Sequence, residues 1–449
     1  MNAARLPEDR DVWRIAAPMI LSNISVPLLG MVDTGVTGHL DGPAYLGAVA
    51  IGATIFGFLY TGVNFLRMGT TGITAQRFGA DDSDGLRVSL GQALIVSFLI
   101  ALTLIALQVP IGHFALGLIG AEPDVEAFAA EYFSIRIWSA PGTLANFVLV
   151  GWFLGLQNAR VPLLIFLTVN ITNIVLDLIF VLELGMKVDG VALASVIAEY
   201  AGVIVGLGFA ARTLRQRSGH WPLARLFNVR AYAAFFAVNA NLFVRTMALM
   251  FAFGFVTAQG ARLGGLVLAA NAVLMNLQNL TAFALDGFAH AAEAMVGKAV
   301  GQKRKDVLQR SVQLALKWSL IFAVGFCLLY VIVGPALIRL LTNLPEVRST
   351  AMQFLPWLVI SPLISVWSFL YDGVYVGATR AREMRDIMLI SAFAVFLPAW
   401  FLLQGYGNHG LWLAFTIFMA SRGIGMHIWY RRRILPELKL SEIGHISDR

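Results

Sequence analysis

Long apolar runs separated by short polar connections fill almost the whole chain of 449 residues. A helix that crosses a membrane needs about 20 mostly apolar residues. About twelve stretches qualify, near 13–39, 45–78, 86–109, 125–157, 161–184, 189–212, 231–258, 265–297, 308–333, 347–378, 384–403 and 409–430. The pattern also repeats. GWFLGLQNAR around Gly151 returns as GVYVGATRAR around Gly373, an offset of 222 (373 − 151). The same offset relates Gly79 to Gly301, Gly155 to Gly377 and Arg160 to Arg382. It slips to 220 near the end, where Gly190 and Leu193 match Gly410 and Leu413. Duplicated helical halves are a common plan of secondary transporters, and a same-sense repeat predicts two lobes related by an axis along the membrane normal. The lobes are expected at 1–212 and 231–449, joined by a linker at 213–230.

Composition agrees with a membrane protein. Hydrophobic residues make up 58% of the chain, charged residues 13%, and the mean hydropathy is +0.75, outside the range of soluble domains. The opening MNAARLPEDRDVWR mixes acids and bases and lacks the pattern of a cleavable signal. Cys327, the one cysteine, excludes an internal disulfide framework and reads as a small core or lipid-facing residue.

Charge sets the expected orientation. Arg212, Arg215, Arg217, Arg225 and Arg230 crowd one connection, and Lys298, Lys303, Arg304 and Lys305 another. Arg380, Arg382 and Arg385 crowd a third, and Arg431, Arg432 and Arg433 the tail. The alternate connections carry acids, including Asp41, Glu122, Asp124 and Glu126. By the positive-inside rule both termini are expected on the cytoplasmic side of the plasma (inner) membrane. Topology thus accounts for the net charge of +7, and no nucleic-acid partner is needed. The linker is polar, basic and broken by Gly219 and Pro222, and Trp221, Leu223, Leu226 and Phe227 suit a short amphipathic helix on the inner surface.

Ionisable side chains inside spans are costly and point to function. Asp33 falls roughly 12 Å above the midplane in the first stretch, and Asp177 about 7 Å above it in the fifth. Asn173 and Asn170 precede Asp177 by four and seven residues, on one helical face. Ser195, in the sixth stretch, falls at a similar height. Such a cluster can exchange a proton, because two carboxylates in a poorly hydrated cavity titrate together. The same oxygens at Asp33, Asn173, Asp177 and Ser195 also suit a sodium ion. The plainer alternative is that the acids only hold helices together through buried hydrogen bonds. In the second half, Phe255, Val395 and Ala399 stand where Asp33, Asn173 and Asp177 stand in the first, and Phe415 replaces Ser195. Ion handling is therefore expected in the first half alone.

The chain resembles the multidrug and toxic compound extrusion (MATE) transporters, specifically their DinF-like branch. The resemblance runs nearly end to end and is carried by PMILSNISVPLLGMVDTGVTGHL, GLQNARVPLL, NITNIVLDLIF and GVALASVIAEY. It implies an all-α membrane protein of about twelve helices, in two pseudo-symmetric six-helix bundles forming a V-shaped cleft. It also implies antiport of amphipathic, often cationic compounds against protons or sodium. On that resemblance Asp33 is the principal protonation residue, Asn173 and Asp177 complete its network, and Ser195 stands at the position of an expected threonine. Tyr132 and Asn146 match the tyrosine and asparagine that the family carries on its fourth helix. Pro18 matches a proline associated with bending of the first. Asp372 lies where another branch carries an acid, but on the inner half, and no role is transferred to it.

Other charges within spans are read from the residues alone. Arg136 and Glu199 both fall near the midplane and are expected to pair, or else to face the cleft and handle substrate or protons. Arg245 and Asp286 suggest a second pair, while Arg67, His290 and Glu293 lie toward the inner end. The acids at 81–84 read as a solvated turn beside Arg77 and Arg87. Three function classes compete. The first is an ion-coupled exporter of small organic molecules, monomeric in the bilayer, with no cofactor beyond the coupling ion. The second is a flippase for a lipid-linked precursor, which would want a cation in the open cleft. A membrane-embedded enzyme is disfavoured, since no metal spacing, nucleophile elbow or phosphate loop is present.

Overall fold

A computed structural model describes residues 5–38 and 42–436. Among these, the side chains of residues 26–29, 31, 33, 34, 229–231 and 234 lie outside the description. Every regular element among the described residues is a helix, and none is a strand. The first half contains α1 (Asp9–Thr37), α2 (Pro43–Val63), α3 (Phe65–Gly79), α4 (Ser83–Ala106) and α5 (Gln108–Ile119). It continues with α6 (Pro123–Arg136), α7 (Ala140–Gly155), α8 (Arg160–Asp177), α9 (Val188–Arg215) and the short α10 (Leu223–Leu226). The second half contains α11 (Val229–Arg262), α12 (Gly265–Gly301), α13 (Lys305–Leu341), α14 (Pro345–Gly377), α15 (Ala381–Leu389), α16 (Leu397–Leu403) and α17 (Gly407–Trp429). Proline opens α2, α6 and α14, where its missing N–H costs nothing. Asp82 caps α4 by accepting from the Gly85 N–H at 2.8 Å.

Ten helical stretches of the described residues are long and apolar enough to cross a membrane. One of them, Ala381–Ile434, is interrupted by a tight turn at Gln404–Tyr406 and by Gly407 at φ +57°, so it holds two passes. With α1 this gives the twelve-helix plan. Two passes are broken midway: Asn64 separates α2 from α3, and the 3₁₀ turn Ile137–Ser139 separates α6 from α7.

The chain divides into two compact units, an N-terminal one of Leu21–Ala234 and a C-terminal one that gathers Phe235–Arg449 with Met1–Ile20. The apolar pattern groups the whole first stretch with residues 1–212, whereas the first turns of α1 pack on α12 and α13. Trp13 sets its ring edge-on to Phe288 (5.5 Å) and Trp318 (5.1 Å). Asp9 accepts from Lys317 Nζ at 3.0 Å and from Trp318 Nε1 at 2.8 Å.

Each unit uses the repeat in the same way. A Cβ at Gly151 would strike the Arg67 carbonyl, and one at Gly373 would strike the Ala289 carbonyl. A Cβ at Gly155 would meet Ala75 N at 2.9 Å, and one at Gly377 would meet Gly297 N at 2.9 Å. Both contact positions obey the offset (289 − 67 and 297 − 75 are each 222). The repeated glycines thus let α7 and α14 press backbone to backbone on α3 and α12, the role of small residues between membrane helices.

Candidate functional site

Two polar constellations lie within the N-terminal unit. The first is on α8 and α9. Asn173 Nδ2 donates to Ser195 Oγ at 3.0 Å, and the two residues are 1% and 4% exposed. Asp177, one turn after Asn173, is fully buried. It ends the α-helical part of α8, because Leu178–Glu183 continue as a π-helical turn. Such insertions cluster at functional positions, and nothing in the apolar pattern signals this one. Asn170, expected in the same cluster, instead donates to Ser25 Oγ at 2.8 Å, and that hydroxyl donates to the Ser22 carbonyl at 2.6 Å. This ties α8 to α1 about one turn before the Asn173–Ser195 bond in the sequence of α8. Ser22 and Ser25 lie in the segment that carries the family resemblance, and as neutral hydroxyls they carry no sequence signal of this bond. Asp33 belongs to α1, and its side chain lies outside the described residues. Pro18 sits inside the continuous α1, two residues before the boundary between the units.

The second constellation is a cavity of about 390 Å³ lined by Phe56, Tyr60, Asn64, Tyr132, Arg136 and Phe147, among others. Both midway helix breaks open onto it. Asn64 marks one, and Arg136 closes α6 at the other, where a cation suits the helix end. Arg136 Nη1 donates to Tyr132 Oη at 3.3 Å, and its guanidinium lies 5.8 Å from the Phe56 ring centre. Tyr132 rests on Gly52, where any Cβ would enter its ring. Tyr60 Oη and Ser139 Oγ share a hydrogen bond of 2.7 Å.

Glu199, expected opposite Arg136, is held by a different partner. Asn146 Nδ2 donates to its carboxylate at 2.8 Å and to its main-chain oxygen at 2.9 Å. Glu199 seats on Gly142, and Asn146 on Gly202. The Glu199 carboxylate accepts from Asn146, and Arg136 donates to Tyr132. Each of the two charges is thus hydrogen-bonded to a neutral neighbour. An amide reaches the buried carboxylate with less desolvation than a guanidinium would need.

The C-terminal unit has no counterpart of the α8–α9 cluster at the equivalent positions. Phe255 packs edge-on to Phe396 (5.5 Å) and Trp400 (6.5 Å), and Phe415 edge-on to Phe253 (5.3 Å). Its buried charge lies elsewhere. Asp372 Oδ2 accepts from Arg422 Nη2 at 2.9 Å and also from Arg245 Nη2. The acid bound to Arg245 is therefore Asp372 on α14, and Arg422 on α17 had escaped sequence reasoning. No group of three or more His, Cys, Asp or Glu with metal-binding geometry occurs among the described residues.

A family model described as MatE matches residues 18–179 and again 240–401. The two matches are offset by 222 (240 − 18). The chain is similar to DNA damage-inducible protein F of Escherichia coli (strain K12), with 43% identity over 424 residues, 94% of this chain and 92% of that protein. Multidrug and toxin extrusion protein 1 of Homo sapiens is 24% identical over 94% of this chain and 75% of its own length. A crystal structure of MATE in complex with MaD3S superposes with a TM-score of 0.84 at 20% identity, covering 96% of this chain and 97% of that one.

Proposed function

Since the chain belongs to the MATE family of multi-pass transporters, we propose that it is an ion-coupled antiporter. It exports amphipathic or cationic small organic compounds by alternating access, as a monomer in the plasma membrane with both termini cytoplasmic. Asp33 and Asp177 carry the coupling proton, and Asn173 and Ser195 hold the loaded state. Sodium at Asp33, Asn173, Asp177 and Ser195 is the alternative coupling ion. Asn170 braces α8 against α1, Pro18 is the bending point of α1, and the cavity around Tyr132 receives substrate.

The observation that carries this reading is the fully buried Asp177, one turn from the Asn173–Ser195 bond, at the head of a π-helical turn. A carboxyl, an amide and a hydroxyl gathered out of water suit a proton or a hard cation that comes and goes. The test is transport by purified protein in liposomes, with pH and sodium gradients imposed separately. Asp33→Asn keeps the shape of the protonated carboxyl and is expected to abolish gradient-driven efflux without loss of insertion. Undiminished efflux from that variant would sink the assignment.

One observation favours a second reading, a flippase for a lipid-linked precursor: Arg136 lines the cavity, where a guanidinium fork suits a phosphate. Translocation of a fluorescent lipid pyrophosphate that is lost in Arg136→Gln would favour it. Efflux of cationic dyes with no lipid movement favours the antiporter.

A further inference from the structure

The stretch that joins the two repeats is fastened to one stripe of α4. Arg87, 4% exposed, donates to the main-chain oxygens of Leu214 (2.8 Å), Arg217 (2.9 Å) and Ser218 (3.5 Å), and to Ser83 (3.0 Å) in its own helix. It thereby satisfies carbonyls that the end of α9 leaves open. Asp84 accepts from the main-chain N–H of His220 at 2.8 Å, and Gln92 donates to the Arg225 carbonyl at 3.2 Å. Leu226 packs on Gly91, where a Cβ would stand 2.7 Å from its Cδ1. Positions 84, 87, 91 and 92 share one helical face. Their equivalents in the second half are Asp306, Gln309, Gln313 and Leu314. Only the acid is kept there, and Arg304 takes it up. The stripe is therefore specific to the connection and is not a by-product of duplication.

A backbone pinned in this way turns Leu226 inward and leaves the other large apolar side chains of the connection mostly outside. Leu226 is buried, while Trp221, Leu223 and Phe227 stand 49%, 62% and 66% exposed. Arg212, Arg215 and Arg225 are exposed beside them, and none has an ion-pair partner among the described residues. The neighbouring charges are largely committed. Asp82 caps α4, Asp84 holds His220, Arg77 donates to the Gly85 carbonyl, and Arg217 lies over the Phe78 ring at 5.0 Å. Asp81 alone remains exposed in the turn before α4. Large apolar groups ringed by arginines are unfavourable against water and favourable at a charged headgroup boundary.

We infer that residues 212–227 form a binding site for anionic phospholipid of the inner leaflet. Trp221, Leu223 and Phe227 enter the edge of the acyl layer, and Arg212, Arg215 and Arg225 engage lipid phosphates. Arg87 is a positioning residue that touches no lipid. This assignment rests on the proposed topology, which puts the connection at the cytoplasmic surface.

Retention of phosphatidylglycerol against phosphatidylcholine by the purified full-length protein, read by native mass spectrometry, tests it. Each arginine near an anionic surface contributes about fivefold. The triple variant R212Q/R215Q/R225Q is therefore expected to lose up to about a hundredfold of the preference, at unchanged melting temperature. W221S/F227S is expected to weaken retention of both lipids. Arg87→Gln is expected to lose the preference while all three surface arginines remain. Because that variant also loses buried bonds, the surface triple is the deciding one. Equal retention of the two lipids by the unaltered protein, or an unchanged preference in the triple variant, would overturn the site. Labelling S218C by an impermeant thiol reagent, in a Cys327→Ser background, separates this from a failure of topology. Reaction from the outside would refute the orientation, whereas the lipid comparison in detergent would still stand.

Discussion

Asn146 donates two hydrogen bonds to Glu199, one to the carboxylate and one to the main chain, while Arg136 donates to Tyr132. The two charges are thus each held by a neutral neighbour. A buried acid that loses its donor costs roughly 1–3 kcal/mol, so Asn146→Leu should lower detergent melting measurably. Glu199→Gln should cost less, because an amide oxygen still accepts from Asn146. The double variant should fall short of the sum, as expected for residues in contact. Arg136→Gln is expected to be milder than Asn146→Leu. If it proved the most damaging of the set, a direct Arg136–Glu199 pair would be restored. Sequence alone singled out both charges, since a charge in an apolar run stands out. It did not identify their partners, because Asn146 carries no formal charge and partner choice depends on helix rotation.

At the scale of elements, the offset of 222 has a cause in packing. Gly151 and Gly373 permit the same backbone crossing in each unit. The four described non-glycine residues with positive φ also fall on the offset: Asp81 with Lys303, and Gln157 with Thr379. Turns and crossings, rather than chemistry, preserved the repeat. Gly151→Ala and Gly373→Ala should each destabilise by about 1–3 kcal/mol through overpacking. Gly208→Ala, with nothing within 4 Å of its Cβ, should be neutral or slightly stabilising. Equal melting temperatures for all three would remove the packing argument. The spans were legible because period and length are written in the residues. The breaks at Asn64 and Ile137–Ser139 and the π-helical turn after Asp177 were not, because each replaces main-chain bonds without altering composition. Another feature hidden from pattern is the clip that holds the start of α1 to α13. Hydrogen bonds from Lys317 and Trp318 keep the Asp9 carboxyl below its ordinary range. A lowered carboxyl pKa gives stability that is present above the unfolded value and is lost as pH falls through the folded one. Asp9→Asn should therefore melt earlier than the parent at neutral pH and together with it in acid. A gap that persisted in acid would assign the effect to something other than charge.

On the scale of the whole molecule, duplication preserved the frame and let the interiors diverge. Where the N-terminal unit buries Asn173, Asp177 and Ser195, the C-terminal unit fills the equivalent space with Phe255, Phe396, Trp400 and Phe415. This asymmetry was already visible in the sequence, because exchanging polar for apolar residues at matched positions needs no coordinates. What it implies for transport can be tested by returning an acid to the second half. Ala399→Asp places a carboxyl where Asp177 has its counterpart, but its surroundings are rings and aliphatic side chains, with no amide or hydroxyl at the equivalents of Asn173 and Ser195. A carboxyl there stays protonated and out of reach of water, and an aromatic core cannot hold a cation in place of an oxygen cage. Adding Ala399→Asp or Phe255→Asp to the Asp33→Asn protein should therefore leave efflux abolished. The Ala399 change is also expected to destabilise the C-terminal unit by several kcal/mol, the cost of a buried polar group without partners. Gradient-driven efflux measured in liposomes decides the matter. Recovery in either double variant would mean that the ion can be loaded from both halves, and exclusive coupling through the first would have to be abandoned.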